Sequence, residues 1–164
     1  MKKYETTLLY LLKGNQILLA MKKRGFGVGK YNGIGGKLEP GETVEQAMVR
    51  ETQEEICVTP TKYQKHGVLL FDMYYKGEHV LENVHIFTAT EFDGEPRETE
   101  EMRPSWFALD EVPMDQMHPT DRKWLPWVLE RRGYFEGYFK FDGEINAKPV
   151  EEKLAIKGPL PANC

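Results

Sequence analysis

The sequence predicts an α/β fold in a single domain spanning residues 1–164. Four apolar, strand-like runs are paired across short turns: residues 4–12 with 16–24, and residues 62–76 with 79–92. Runs paired in this way indicate two β-hairpins. Between the hairpins, Thr43 and Gln46 have the spacing of a helix-capping box, and the residues that follow predict a helix to about residue 56. Strands on both sides of a capped helix are typical of an α/β protein.

The remaining elements are a loop, a second helix and two late strands. Residues 25–42 contain seven glycines in eighteen positions and predict a long shaped loop. Residues 121–132 predict a helix whose regular part starts only near Leu125, because Pro126 lacks an N–H group. Short strands are expected in SWFAL and in residues 133–143: the second alternates aromatic with polar or small residues. The chain after about residue 150 is expected to form a flexible tail.

Composition and charge exclude several classes of protein. The 22 basic and 26 acidic residues give a net charge of −4, which provides no electrostatic footprint for a nucleic-acid polymer or an anionic membrane. No apolar run approaches the roughly 18 residues of a membrane span, and charge appears too early for a cleavable signal peptide. We therefore expect a cytoplasmic protein with a small-molecule partner, and a monomer with a dimer left open. Cys57 and Cys164 predict reduced thiols, since no Cys/His cluster has zinc spacing.

The first helix carries an acidic cluster where its apolar stripe ends. One helical face holds Val44, Ala47 and Met48 and then Glu51, Glu54 and Glu55. Like charges three or four residues apart cost roughly 0.2–0.5 kcal/mol per pair, so a positive group is expected beside them. The alternative is a solvated acidic face, but solvated faces lie opposite the apolar stripe.

The type of ligand indicates which cation fits. Carboxylate oxygens without neighbouring His or Cys suit Mg²⁺ or Mn²⁺ rather than zinc. Mg²⁺ favours sites that it shares with the phosphates of a substrate. The adjoining glycine loop suits such a substrate, because glycines let the backbone approach a ligand and the helix N-terminus favours anions.

The segment GKLEPGETVEQAMVRETQEEICV, residues 36–58, resembles the Nudix box, G-x5-E-x7-R-E-U-x-E-E-x-G-U with U an apolar residue. Six fixed positions match: Gly36, Glu42, Arg50, Glu51, Glu54 and Glu55. Thr52 replaces an aliphatic residue and Cys57 replaces a glycine. A left-handed backbone costs a cysteine about 1–2 kcal/mol, so Cys57 puts the end of the helix in question and not the metal site.

Further segments resemble the MutT-like branch that hydrolyses oxidised purine nucleoside triphosphates: MKKRGFGVGKYNGIGGK, EMRPSWF and GYFKF. The resemblance implies an α/β/α sandwich with a mixed sheet, and Mg²⁺-dependent hydrolysis of substrates such as 8-oxo-dGTP, with Mn²⁺ as a possible substitute. It implies metal ligands at the Gly36 carbonyl, Glu51, Glu54, Glu55 and Glu101. It also implies that Arg50 orients a helix carboxylate, that Glu42 braces the loop, and that Lys22 meets phosphate or ribose.

The resemblance also places the purine pocket at Phe26, Asn32, Phe71, His118, Thr120, Asp121 and Trp124. The chain departs from its relatives there, with His118 in place of another aromatic residue and Thr120 in place of the first of two adjacent aspartates. A pair of aspartates can share a proton, whereas a lone Asp121 is expected to be mostly ionised and to accept hydrogen bonds from a guanine-type edge. The alternatives are that Asp121 caps a helix and that Trp124 is ordinary core.

Three classes of function stay open at this stage. The first is a Mg²⁺-dependent hydrolase of oxidised purine nucleoside triphosphates. The second is a hydrolase of the same family for a nucleotide sugar, a dinucleotide or an unmodified nucleotide. The third is a nucleotide-binding module without catalysis, which has little need for a complete set of metal carboxylates. Which glutamate removes a proton is also open, because a coupled cluster shares its titrations.

Overall fold

The computed structural model describes residues 1–25, 27–145 and 148–162. Its elements, in chain order, are β1 Lys2–Lys13, β2 Gln16–Lys22, β3 Tyr31–Asn32, α1 Val44–Ile56, β4 Thr59–Tyr75, β5 Glu78–Asp93, β6 Met102–Ala108, a short 3-10 helix Met114–Gln116, α2 Asp121–Leu129, β7 Tyr134–Lys140 and β8 Glu151–Gly158. The strands β1–β2 and β4–β5 form the two predicted hairpins.

The strands form a mixed sheet in the order β3-β2-β1-β5-β4-β7-β8, and β6 pairs with β2. The pairs β1–β5 and β4–β7 are parallel, and the other pairs are antiparallel. The two hairpins therefore join through β1, the first strand of one hairpin, and β5, the second strand of the other. These two strands lie in the centre of the sheet.

The two helices cover opposite faces of this sheet. Successive residues of β1 alternate between the faces: Leu9 and Leu11 pack with Met48 and Ile56 of α1, whereas Tyr10 packs with the helix α2. The α1-side core also includes Leu18, Ile34, Val58, Phe87 and Ala89, and the α2-side core includes Leu69, Phe71, Ile86, Trp124, Leu125, Val128, Phe135 and Phe139. The predicted α/β/α sandwich with a mixed sheet is confirmed.

Helix α1 begins as the capping box predicts. The Thr43 hydroxyl accepts a hydrogen bond from the Gln46 backbone N–H at 3.1 Å, and the Gln46 side chain accepts one from the Thr43 N–H at 2.9 Å. Thr52 is fully buried in the helix interface, and its hydroxyl donates to the Met48 carbonyl at 2.7 Å. A threonine is tolerated at this apolar position because that bond satisfies its hydroxyl.

The same helix ends at Cys57, which has φ 63° and ψ 34°. Cys57 therefore adopts the left-handed conformation that a glycine would adopt there, and its N–H bonds to the Gln53 carbonyl at 3.0 Å. The helix therefore ends where the resemblance predicts a glycine, and the backbone of Cys57 is locally strained there.

Replacing Cys57 by glycine should stabilise the protein. Relief of the left-handed strain, offset by the greater freedom of glycine in the unfolded chain, should raise the free energy of unfolding by about 1 kcal/mol. Urea unfolding followed by circular dichroism measures the change. Cys57→Ala is the control, because alanine retains the Cβ atom; an equal gain in both variants would show that the strain is not the cause.

Helix α2 begins at Asp121, five residues before Pro126, so the expectation of a late start near Leu125 is wrong. The proline removes a hydrogen bond only from the carbonyl of Arg122, four residues earlier. Arg122 is exposed, so water can satisfy that carbonyl.

The chain after residue 150 forms an edge strand, where a flexible tail was expected. Strand β8 pairs antiparallel with β7, and Leu154 packs against the α2-side core. The alternating pattern of β8 is weak because most of its side chains are exposed. Further along, the Gln64 side chain donates a hydrogen bond to the Pro161 carbonyl. None of the helices in the described residues is long and apolar enough to cross a membrane.

Candidate active site

The predicted acidic residues converge at the C-terminal half of α1. One cavity of about 520 Å³ is lined by Arg24, Glu51, Glu54, Glu55, Thr99, Glu100 and Glu101. The first three glutamates come from α1, and residues 99–101 come from the loop before β6. The carboxylate that the resemblance placed on a separate loop, Glu101, therefore lies beside the helix carboxylates.

Arg50 holds the carboxylates of the box in place. Its guanidinium donates two hydrogen bonds to Glu42, at 2.6 and 2.8 Å, and further bonds to Glu51 at 2.9 Å and Glu54 at 3.2 Å. The bond from Arg50 lowers the pKa of Glu42 to about 2. Arg50 thus ties the loop that precedes α1 to the carboxylates on the helix, and supplies part of the positive charge that the stripe predicted.

Glu55 is the most deeply buried carboxylate of the cluster, with 7% of its surface exposed. Burial, reinforced by the charge of neighbouring Glu51, raises the pKa of Glu55 to about 8. Burial also raises the pKa of Glu51. Within the described residues, the Oε2 atom of Glu55 has no hydrogen-bond partner. A buried carboxylate oxygen without a partner is costly, and a cation beside it would remove that cost.

Arg24 and Arg50 bind carboxylates that a metal ion would also bind. Glu101 accepts bonds from Arg24 at 2.5 and 3.0 Å, while the side chain of Glu54 is 58% exposed. In this arrangement, no three Asp, Glu, His or Cys side chains of residues 1–25, 27–145 and 148–162 converge on one metal position. The donor set still fits a hard divalent cation, because it consists of oxygens around one cavity and includes the unpaired Glu55 oxygen.

Gly36 brings the glycine loop against α1. A Cβ atom at this position would lie 2.5 Å from the Glu51 carboxyl carbon, so only glycine permits the contact. The Gly36 carbonyl accepts a hydrogen bond from the Thr7 N–H at 3.0 Å. A carbonyl oxygen has two lone pairs, so one is left for a further partner.

A second cavity, of about 260 Å³, lies on the α2 side of the sheet. Six of the predicted substrate residues line it: Lys22, Asn32, Phe71, His118, Asp121 and Trp124. Phe26 lies outside the described residues. Thr120 is fully buried and does not line the cavity, so its prediction as a substrate contact is not supported by the geometry.

Thr120 acts instead on His118. Its hydroxyl is 2.8 Å from the Nδ1 atom of His118, and the Nε2 atom of that ring is 2.5 Å from the Ile145 carbonyl. A carbonyl only accepts, so Nε2 carries the proton and Nδ1 accepts from the hydroxyl. Burial lowers the pKa of His118 and favours this neutral form. The ring stands edge-on to Phe71, with the ring centroids 6.2 Å apart.

Asp121 is buried at the N-terminus of α2, with 4% of its surface exposed. Burial raises the pKa of Asp121 to about 7, although a hydrogen bond with the His118 backbone opposes the rise. This pKa differs from the expectation of a mostly ionised carboxylate, because both protonation states of Asp121 are populated near neutral pH. The helix-cap alternative is wrong, because Thr120 occupies the N-cap position and the Oδ2 atom of Asp121 has no partner in the described residues.

Trp124 serves both the core and the cavity. It is 1% exposed, its ring centroid lies 6.1 Å from that of Tyr10, and it lines the second cavity. Its Nε1 atom has no hydrogen-bond partner among the described residues. The indole thus packs as a core residue while its polar edge is left available.

Among the residues that line this cavity, sequence reasoning missed two charged ones, Lys37 and Glu82. A signal for Glu82 was present in β5, where the residues that face the α2 side are Val80, Glu82, Val84 and Ile86. A carboxylate in a register that is otherwise aliphatic indicates a functional position, because burying a charge without a purpose is costly.

Residues 2–128 match the model of the Nudix domain. The chain therefore belongs to the Nudix family and is a hydrolase of that family, as the resemblance indicated. It is 47% identical over 148 residues to the oxidized purine nucleoside triphosphate hydrolase of Danio rerio, covering 90% of this chain and 92% of that protein.

Two further relatives agree in sequence and in fold. The oxidized purine nucleoside triphosphate hydrolase of Mus musculus is 43% identical over 138 residues, which cover 84% of this chain and 86% of that protein. Among solved structures, a MutT protein from Bacillus halodurans superposes with a TM-score of 0.79 at 25% identity, covering 92% of this chain and 97% of that chain.

Proposed function

We propose that this protein hydrolyses oxidised purine nucleoside triphosphates, such as 8-oxo-dGTP, to the monophosphate and pyrophosphate, and so sanitises the nucleotide pool. The observation that carries the proposal is the junction between the two cavities. Lys22 and Gly36 line the purine-sized cavity, while Gly36 touches Glu51 and the Lys22 ammonium lowers the pKa of Glu55. A nucleotide whose base fills the α2-side cavity therefore has its phosphates at the acidic cluster.

The chemistry divides between the two ends of this junction. A bound Mg²⁺ ion, held by Glu51, Glu54, Glu55 and Glu101, would supply charge neutralisation at the phosphates and lower the pKa of a water molecule. A water oxygen attacks phosphorus, the anhydride P–O bond breaks, and the water proton passes to a carboxylate of the cluster. Arg50 keeps those carboxylates in position, because its hydrogen bonds link them to the loop.

The base end offers groups that can read an oxidised purine. Oxidation at C8 places a new N–H donor at N7 and a carbonyl at C8. Asn32 carries both a donor and an acceptor. Asp121, with a pKa of about 7, can accept from a guanine N1–H when ionised and donate to an adenine-type edge when protonated. One carboxyl group thus supplies the choice that a pair of aspartates would supply, which widens the guanine preference inferred from the sequence.

A nucleotide panel with detection of pyrophosphate tests the proposed substrate class. Oxidised guanine and adenine nucleoside triphosphates should be hydrolysed with higher kcat/KM than dGTP and dATP, because only the oxidised bases present the additional groups. Nucleotide sugars and dinucleoside polyphosphates belong in the same panel. Faster hydrolysis of either of those would assign the chain to another substrate.

Chelation should abolish activity, and Mg²⁺ or Mn²⁺ should restore it, because the proposed ligands are all oxygens. In the absence of nucleotide, either ion should also raise the Tm, since it binds the folded state in preference to the unfolded state. The measurements are an activity titration and a thermal melt of the same chelated sample. Full activity in a chelator would exclude this mechanism.

The setting of the proposed reaction follows from its substrate. We propose that the chain acts as one domain, as a monomer in the cytoplasm, where free nucleotides are found, without a nucleic-acid polymer or a membrane as a partner. The net charge of −4 supports the last point, because it offers no extended positive surface.

A further inference from the structure

Glu82 places a carboxylate in the wall of the nucleotide cavity, and no step described above uses it. It lies in β5, opposite Tyr4 of β1 and Phe71 of β4. It lines the same cavity as Asn32 and Asp121. The purine cavity therefore contains two carboxyl groups, and Glu82 is the one without an assigned role.

The hydrogen-bonding capacity of Glu82 is not exhausted by its neighbours. Burial raises its pKa, while the Thr6 hydroxyl and the ammonium groups of Lys37 and Lys22 lower it. No lysine or arginine in the part of the chain that the structure describes forms a direct ion pair with this carboxylate. A carboxylate accepts about four hydrogen bonds, so lone pairs are left for a ligand that carries donors.

The position of Glu82 along the sheet corresponds to the sugar of a nucleotide. Asp121 lies in α2, which packs on Tyr10 of β1 through Trp124, with the ring centroids 6.1 Å apart. Glu82 is level with Tyr4 on the same strand. Asp121 and Glu82 nevertheless line one cavity of about 260 Å³, so both carboxyl groups face the same ligand from different positions along β1. A base edge at Asp121 therefore points the rest of the nucleoside toward Glu82.

Lys22 fixes the order of groups along this path. It lines the nucleotide cavity together with Glu82, its partner across the sheet is Met102, and the N–H of the next residue, Lys23, donates to the Glu101 carbonyl at 2.9 Å. Lys22 thus lies between the phosphate end and Glu82, so the group of the substrate next to Glu82 is the one that joins the base to the phosphates. That group is the pentose.

There is space beside Glu82 for an additional hydroxyl. Glu82 and Lys37 also line a neighbouring cavity of about 280 Å³, which extends past Tyr4, Met73 and Val80. The wall on this side of the sugar is therefore open, and a 2′-hydroxyl meets a carboxylate rather than an apolar surface.

We propose that Glu82 accepts hydrogen bonds from the 2′- and 3′-hydroxyls of ribose, so that the enzyme prefers oxidised purine ribonucleotides to their deoxy counterparts. This inference rests on the proposed function, because it assumes that a purine nucleotide fills the cavity. A carboxylate is the group that nucleotide-binding proteins use to bind the 2′-hydroxyl of a ribose, since the two oxygens can accept from both hydroxyls of the diol. A deoxyribose leaves one buried acceptor without its donor.

Calorimetric titration of the monophosphates, with metal removed, tests the inference independently of turnover. The protein should bind 8-oxo-GMP about 5- to 150-fold more tightly than 8-oxo-dGMP, the range that one unmatched buried hydrogen bond produces. Glu82→Gln keeps the shape of the side chain and should reduce this ratio. Glu82→Leu removes both acceptors and should bring the ratio close to 1. Glu91→Gln, an exposed change in the same strand, is the control and should leave the ratio unchanged.

Three results would overturn the inference. They are equal affinity of the wild type for the two monophosphates, a ratio that Glu82→Gln and Glu82→Leu leave unchanged, and no binding of either monophosphate. In the second case, an accompanying shift in guanine-to-adenine preference would assign Glu82 to the base instead. Failure of the proposed function is seen separately, as no release of pyrophosphate from any purine triphosphate with Mg²⁺. Circular dichroism of each variant verifies that it is folded.

Discussion

Glu55→Gln is expected to lower kcat by about 10²–10⁴-fold while leaving the fold intact. The glutamine has the same shape but lacks the negative charge that would bind the metal. Burial disfavours the charged form of the Glu55 carboxyl, so replacing it with a neutral amide should not destabilise the protein. Stopped-time assays of pyrophosphate release at saturating Mg²⁺ give kcat, and circular dichroism gives the Tm.

The control for this change is Glu45→Gln, in the first turn of the same helix. Glu45 does not line the acidic cavity, so its loss should change kcat less than about twofold. Glu54→Gln should resemble Glu55→Gln, because Glu54 lines the cavity. Equal losses at Glu45 and Glu55 would show that the acidic cavity is not the catalytic centre.

Asp121→Asn is expected to reduce kcat/KM for 8-oxo-dGTP about 5- to 150-fold, with the metal requirement unchanged. An asparagine presents a fixed donor where an ionised Asp121 accepts, and one mismatched buried hydrogen bond costs about 1–3 kcal/mol. Asp115→Asn, at a 97% exposed side chain in the preceding segment, is the control. Equal kcat/KM in wild type and Asp121→Asn would mean that the base is read elsewhere.

The same residue should make binding of the base depend on pH. The accepting, ionised form of Asp121 increases as pH rises through about 7, so metal-free binding of 8-oxo-dGMP should tighten over that range. Three charged or titratable groups face it: Lys30, whose charge lowers the pKa of Asp121; His118, whose own pKa is lowered by burial; and Tyr10, whose pKa is raised well above its ordinary value. Asp121→Asn should abolish the dependence. A wild-type affinity that is constant between pH 6 and 8 would contradict the assignment.

The acidic helix could be predicted from sequence because its signals are local. The cap at Thr43 and the spacing of Glu51, Glu54 and Glu55 depend on residues a few positions apart, and helical periodicity then fixes their common face. The structure adds contacts between distant residues, which helical periodicity cannot predict. Arg50 reaches back eight residues to Glu42, and that pairing depends on how the glycine loop folds.

The purine end was less predictable because its chemistry depends on burial from distant elements. The charge of Asp121 follows from its desolvation, and the orientation of His118 follows from a carbonyl at Ile145, 27 residues away. Thr120 was predicted to contact the substrate, but it is the buried N-cap residue of α2 and its hydroxyl bonds to His118 instead. Strand β8 was missed because an exposed edge strand lacks an apolar period.

During translation, β1 is synthesised well before β5, its parallel partner in the sheet. β1 ends at Lys13 and its partner begins only at Glu78, while β2 waits for β6 at Met102. At 5–20 residues per second, the stretch between β1 and β5 takes about 3 to 13 s to synthesise. During those seconds the edge of β1 that pairs with β5 in the finished protein has no partner for its backbone N–H and C=O groups. The nascent N-terminal hairpin thus presents an unpaired strand edge, the feature that favours association with another chain.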